Sequence, residues 1–244
     1  MSTTAPCVRL QWDSEWWRCE VVRVVAPSSA PEKIVALEKW CADHHVDMAM
    51  VLIPSDEVTT LEVFVAAGFQ RVDNRVTLVA SASTMPVFRP TVVIRKAEFG
   101  DIAELRDIAS RNHRGSRFYE DPHFPNERCD EFYAEWIEND VRGRADVVFV
   151  AHEEQHIVGY LSLRRQEDST DATISLVGVD PARQRRGIAS ALFAHMGQWC
   201  AHVGVTRVVV ATQATNDPAL SFYQSHGFSI RASEHWLHRW WLPD

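Results

Sequence analysis

The segment LVGVDPARQRRGIASALF, residues 176–193, leaves the chain few choices of fold. Leu176–Val179 is a β-rich run, Pro181 marks a turn, and Gln184-Arg185-Arg186-Gly187-Ile188-Ala189 leads straight into a helical pattern. A strand delivered into a helix through so short a connection is a building step of an α/β fold. It also creates a binding site. The first N–H groups of the helix are unpaired and point outward at the positive end of its dipole. Gly187 lets a bulky anion approach the backbone without meeting a Cβ. Arg183, Arg185 and Arg186 add fixed positive charge, in a chain whose net charge is −8. That acidic balance argues against general nucleic-acid binding and requires such a local cluster wherever an anion is held. The junction therefore fits a pyrophosphate. A basic helix start on an ordinary surface is the alternative, but it does not need strand, turn, glycine and helix in this order.

The flanking sequence fills in the fold. SASTMPVFRPT, residues 81–91, is small, polar and proline-marked, and reads as a junction between an N-terminal α/β domain (1–85) and a larger domain (92–244). After it come a short β-branched run and a helix with Ile102, Leu105, Ile108 and Ala109 on one face. RCDEFYAEWIENDVRG is a second helix ending near Gly143. DVVFVA, HIVGYLSLRR and TISLVGVD read as three strands. The helix after Gly187, the strand TRVVVAT, the helix PALSFYQSHG and a last strand around EHWLHRWW complete the order β-α-α-β-β-β-α-β-α-β. Such an order gives a mixed sheet with helices on both faces, the α/β (α+β) class.

Residues His152-Glu153-Glu154-Gln155-His156 spell H-E-x-x-H, the letters of a zinc protease. That motif binds metal only on a helix, where positions i and i+4 project from one face. Here it lies between two strand-like runs, so a hairpin turn is expected, with no metal site and no protease. The five cysteines, Cys7, Cys19, Cys41, Cys129 and Cys200, show no C-x-x-C spacing, which fits reduced thiols better than a disulfide frame. There is no apolar run of about eighteen residues and no signal-peptide pattern at the start, so membrane insertion is not expected and the location is read as cytoplasmic.

An offset of 159 residues places Trp40–Ala42 on Trp199–Ala201, Val46 on Val205, Val51 on Val210, Leu61 on Leu220 and Ala66–Phe69 on Ser225–Phe228. Either a supersecondary unit was duplicated, making the first half a degenerate half-repeat, or two amphipathic patterns coincide. In both cases the first half lacks the chemistry, with Ser28 opposite Gly187 and Phe64 opposite Tyr223.

In ATQATNDPALSFYQSHGF, Asn216 stands at a helix N-cap with Pro218 just inside. Tyr223 follows seven residues later, about two turns on and on the same face, where it is either a core aromatic or a functional phenol. Together the two segments resemble the Gcn5-related N-acetyltransferase (GNAT) family. Its pyrophosphate motif, Q/R-x-x-G-x-G/A, is matched by Gln184, Gly187 and Ala189. Its later asparagine-tyrosine pair ahead of Gly-Phe is matched by Asn216, Tyr223 and Gly227-Phe228. IRKAEFGDIAELRDIA is similar to the family's opening strand and helix, so the resemblance runs from Val92 onward. A narrower resemblance covers almost the whole chain. LQWDSEWW, SRFYEDPHFP, FYAEWIENDVRG, GYLSLR and VATQATNDPALSFYQSHG look like the dTDP-fucosamine acetyltransferase group, which acetylates the 4-amino group of a nucleotide-linked deoxysugar for surface polysaccharide synthesis. Glu15–Trp17 departs from the Phe-Phe-like pair usual there.

The resemblance implies a GNAT fold with an extra, smaller N-terminal α/β domain, and direct transfer from acetyl-CoA to an amine. Main-chain groups of Val177, Gly178 and Val179 would hold the pantetheine arm, and Gln184, Arg185, Arg186, Gly187, Ile188, Ala189 and Ser190 the pyrophosphate. Asn216 would bond the arm or fix the turn. Tyr223 would protonate the departing thiolate, its phenol being protonated at neutral pH. No base stands out: some family members carry a glutamate five residues before the asparagine, where this chain has Ala211. A water chain or His226 is an option, although His226 reads as a solvent-facing helix residue. Arg117, Phe118, Tyr133 and Trp136 lie where the family forms its acceptor wall, and either grip a nucleotide diphosphate or pack ordinarily. Arg117 is the preferred polar contact. The partner is then a small-molecule nucleotide sugar, with oligomeric state open, a homodimer included. Two other readings compete: acetylation of another amine, such as an antibiotic or a peptide N-terminus, and a silent acyl-CoA-binding module.

Overall fold

A computed structural model describes residues 5–85 and 92–241. Most of the proline-marked junction lies outside the described residues. The residues group into two compact units, 1–75 with 232–244, and 76–231.

In the first unit β1 (Cys7–Arg9) pairs antiparallel with β2 (Val21–Val24), which runs parallel to β3 (Met48–Pro54). The far edge of β3 takes β10 (Ser229–Trp240) antiparallel, from Glu234 opposite Pro54 to Trp240 opposite Met48. Helices α1 (Gln11–Trp17), α2 (Pro31–Asp43) and α3 (Val58–Ala66) complete it. The run MAMVLIP of β3 is buried along nearly its whole length, as a strand covered on both faces must be. Its core gathers Val22, Leu37, Val51, Ile53, Leu61, Phe64, Phe69 and Leu237.

The second unit opens with the end of β4 (Gln70–Ser81) and continues as a meander of β5 (Val93–Lys96), β6 (Val147–Glu153), β7 (His156–Arg165) and β8 (Asp171–Val179), each antiparallel to the next. Between β5 and β6 lie α4 (Ile102–Arg111), α5 (Arg117–Glu120) and α6 (Asn126–Asn139). Leu105, Ile108 and Ala109 form the buried stripe of α4, and Cys129, Phe132, Tyr133 and Ile137 that of α6. A π turn over Asp140–Arg144 ends α6, with Gly143 at φ +113° supplying the left-handed residue that lets the chain leave. The short α5 has no periodicity to announce it. After β8 come α7 (Ile188–Val203), β9 (Arg207–Gln213) parallel to β8, and α8 (Asp217–Ser225). Phe193 of α7 is fully buried amid Phe222, Tyr223, His226 and Phe228 at 5.0–6.0 Å between ring centroids. Truncating it to alanine would cost about 3–5 kcal/mol.

From β3 to β4 the 159-residue offset holds in the structure to the residue. β3, α3 and β4 begin and end 159 positions before β9, α8 and β10. Left-handed residues recur at the same offset: Ala26 with Arg185, His45 with Gly204, Gly68 with Gly227.

The H-E-x-x-H segment is a hairpin. His152 faces Ile157 and Glu153 faces His156 across β6 and β7, with Glu154 at φ +57° in the turn. Among the described residues no group of three His, Cys, Asp or Glu side chains is placed to hold a metal, and no helix is long and apolar enough to cross a membrane. All five cysteines are free.

Candidate active site

The site begins with two strands that part. β8 and β9 pair only from Asp171 opposite Arg207 to Thr173 opposite Val209, and an Asp171–Arg207 ion pair pins that closed end. Beyond it β8 continues alone to Val179. On its other side β8 pairs with β7, with Ser162 opposite Leu176 but Leu163 opposite Ile174, so Ser175 is bulged out at the start of the opening. The Asp180 N–H bonds the Val158 carbonyl at 2.9 Å, which makes Gly178–Tyr160 the next hydrogen-bonded pair of the ladder. The main-chain groups of Val177 and Val179 consequently point away from β7, into the opening. Gly178 spends its own groups on β7. Its contribution is steric: a Cβ there would lie 2.8 Å from two ring carbons of Tyr160.

This free edge runs into the anion loop. Arg185 (φ +61°) and Gly187 (φ +79°) both take the left-handed conformation, and α7 starts at Ile188 without a side-chain cap. The N–H groups of its first turn are thus available to a ligand. Ile188 itself is buried, so its share is main-chain only. Glu153, from the hairpin turn, accepts from both terminal nitrogens of Arg186 (2.6 and 3.3 Å) and from Arg183 (2.9 Å). The glutamate of the misleading motif therefore anchors the loop's arginines. Gln184 lies on the exposed turn with its amide 3.4 Å from the Val179 carbonyl, and Ala189 is partly exposed at the helix start. The Ser190 hydroxyl is 3.0 Å from His226 Nε2, whose Nδ1 lies 2.8 Å from the Phe222 carbonyl. Nδ1 accordingly carries the proton and Ser190 donates to Nε2. His226 is buried and ties α8 to α7, which corrects its reading as a solvent-facing residue.

Asn216 caps α8 by accepting from the Ala219 N–H at 3.2 Å, and its amide donates to Thr212 Oγ1 at 3.2 Å. Of its two expected tasks, the structure displays the turn-fixing one. Tyr223 is buried against Phe193 and Phe228, in the core against which Val177 and Val179 pack. Burial raises its phenol well above the ordinary tyrosine value, keeping it protonated.

On the α4–α6 side the wall is aromatic. Tyr133 and Trp136 rings lie parallel at 6.1 Å, and His113 stacks on Tyr133 at 4.7 Å. Arg117 lies over the Phe118 ring at 4.3 Å. Phe118 is fully buried between Phe124 and Phe132, so it cannot stack on a substrate; the expectation of a contact there is corrected to a supporting role. Three groups escaped the sequence reading. His113 Nε2 is 2.9 Å from the hydroxyl of buried Tyr160, and burial pushes this imidazole down to about 4. Ser175 accepts from the Trp136 indole N–H at 3.0 Å. Asp140, buried, accepts from Ser162 Oγ at 2.7 Å. The one local signal was the polar Asp140, three residues before the helix-ending Gly143.

Comparison with known proteins agrees with this geometry. The profile described as Acetyltransferase (GNAT) family matches residues 102–228. The dTDP-fucosamine acetyltransferase of Escherichia coli O6:H1 is 29% identical over 98% of this chain and 100% of its own. The spore coat polysaccharide biosynthesis protein SpsD of Bacillus subtilis is 29% identical over 59% of this chain, which spans about half (49%) of that relative. Among solved structures, a GCN5-related N-acetyltransferase from Sphaerobacter thermophilus superposes with a TM-score of 0.68 at 18% identity, covering 97% of this chain and 76% of that one.

Proposed function

The chain belongs to the GNAT acetyltransferase family and is an N-acetyltransferase, and from that premise we propose that it moves the acetyl group of acetyl-CoA onto the amine of a nucleotide-linked amino-deoxysugar of the dTDP-4-amino-4,6-dideoxyhexose type. The observation that carries this reading is the continuity of one ligand-sized path. It starts at the uncapped α7 and its arginines, follows the free β8 edge and ends at the Ser175 bulge beside an aromatic wall. From Val179 back to Ser175 the edge spans about 13 Å at ~3.3 Å per residue. The pyrophosphate would sit at the loop, the pantetheine arm would pair with Val177 and Val179 like an added strand, and the thioester would lie near the bulge.

In this reading the N–H groups of β8 polarise the thioester carbonyl, and the amine attacks from the aromatic side. Tyr223, held protonated by burial, gives its proton to the leaving thiolate. Trp136 offers a face to a base or sugar, with Tyr133, buried and stacked against His113, supporting it from behind, and Arg117 a charge to the diphosphate. Residues 92–244 carry the transfer, and residues 1–85 are a related half without the chemistry. The nucleotide sugar is favoured over other amines because the E. coli relative, whose name states that acceptor, aligns along both chains.

The test is CoA release with a panel of acceptors: dTDP-4-amino-4,6-dideoxygalactose, an aminoglycoside and a peptide with a free N-terminus. Release confined to the nucleotide sugar supports the proposal. Release with either other amine alone refutes the acceptor, and release with none refutes turnover while leaving the fold intact.

A further inference from the structure

The transfer needs a neutral amine, yet an alkyl amine is mostly protonated at neutral pH. The inference that follows rests on the reading of the β8 edge as the acyl-donor site, which puts the reacting carbon near Ser175. The Trp136 indole N–H occupies one lone pair of Ser175 Oγ, leaving the hydroxyl proton to donate elsewhere. Behind it, at the start of the π turn, lies Asp140, only 1% exposed. Its Oδ2 is satisfied by Ser162. Its Oδ1 has no hydrogen-bond partner, and Ser175 directly precedes Leu176, whose N–H bonds at 3.0 Å the same Ser162 Oγ that holds Oδ2. A buried carboxylate oxygen left open costs stability, and a catalytic role is one reason for a fold to keep it. Burial also raises the Asp140 carboxyl, with Arg144 of the turn and Arg164 of β7 opposing that rise, while Tyr160 of β7 faces it from beneath Gly178. His113 and Tyr133 border Tyr160 in turn.

We propose that Ser175 and Asp140 form the proton relay that turns the acceptor ammonium into the attacking amine. One N–H bond of the ammonium breaks toward Ser175 Oγ while the Ser175 proton passes to Asp140 Oδ1. The freed lone pair forms the C–N bond at the thioester carbonyl, and collapse of the adduct breaks the C–S bond. The thiolate takes the Tyr223 proton, and the second proton of the nitrogen restores the phenol. Asp140 returns its proton through Ser175 to water when product leaves, so each turnover releases one proton. Ser175 touches the amine; Asp140 acts through it.

The experiment compares kcat/KM for the nucleotide amino sugar from pH 6 to 9.5 in wild type, Asp140→Asn and Ser175→Ala, with acetyl-CoA affinity measured for each. Ser175→Ala keeps the buried carboxylate and serves where Asp140→Asn does not fold. Retained acetyl-CoA binding is expected with a loss of about 100-fold or more at pH 7. The deficit should shrink toward pH 9.5, where the amine arrives already neutral. A variant that equals wild type, or loses the same factor at every pH, overturns the relay alone. Wild type that binds acetyl-CoA but acetylates no nucleotide amino sugar at any pH overturns the relay together with the reading beneath it.

Discussion

Replacing Gly178 with alanine tests how the acceptor wall is braced. The new Cβ would stand 2.8 Å from two Tyr160 ring carbons and 2.9 Å from its hydroxyl. The ring cannot swing away freely, because it is fully buried and its hydroxyl is bonded to His113. Nor can the glycine retreat, since it is paired with Tyr160 in the β7–β8 ladder. Overpacking of this kind costs about 1–3 kcal/mol, which lowers Tm by roughly 2–10 °C in a protein of this size. Tyr160→Leu alone also destabilises, by removing packed atoms and leaving His113 without its partner. In the double variant the methyl group enters space the ring has vacated, so the two losses should fall short of their sum by about 1–2 kcal/mol. Urea unfolding followed by circular dichroism on all four proteins measures this. A Gly178→Ala protein as stable as wild type, or strictly additive losses, would refute the contact argument.

Three further outcomes are expected. Glu153→Gln releases Arg183 and Arg186; at about 0.2–1 kcal/mol for each of the two exposed pairs, the KM for acetyl-CoA should rise about two- to thirty-fold with kcat unchanged, and steady-state kinetics showing tighter binding would contradict the anchor. Asn216→Ala removes the α8 cap and should lower stability by about 1 kcal/mol in urea unfolding. His113 has its pKa depressed in the folded state, so the unfolded chain binds its proton first as pH falls: stability drops below pH 6.5, reaching a loss of roughly 2–3 kcal/mol near pH 4.5. His113→Phe should flatten that part of the stability–pH curve.

The sequence disclosed what is local. Val177 to Ala189 carries its strand, turn, left-handed glycine and helix in one stretch, and each element forms where its residues prefer to. The H-E-x-x-H letters were discounted because their neighbours alternate as strands do, and the hairpin register agrees. What stayed hidden is assembled across elements. His113 lies after α4, Asp140 after α6, Tyr160 on β7 and Ser175 on β8; apart from Asp140 close to the helix-ending Gly143, none has a signature of its own. Phe118 misled because an aromatic in an acceptor loop looks available until Phe124 and Phe132 close over it. His226 misled for the opposite reason: a histidine at a helix end is usually wet, but here it is bonded to Ser190 of α7.

The most direct test of acetyl transfer through Tyr223 is CoA release from acetyl-CoA with dTDP-4-amino-4,6-dideoxygalactose, comparing wild type with Tyr223→Phe. The substitution keeps the buried ring against Phe193 and Phe228 and removes only the hydroxyl. The account predicts turnover by wild type, a kcat lowered about 100-fold or more in the variant, and unchanged acetyl-CoA affinity. A variant that turns over as fast as wild type would contradict it.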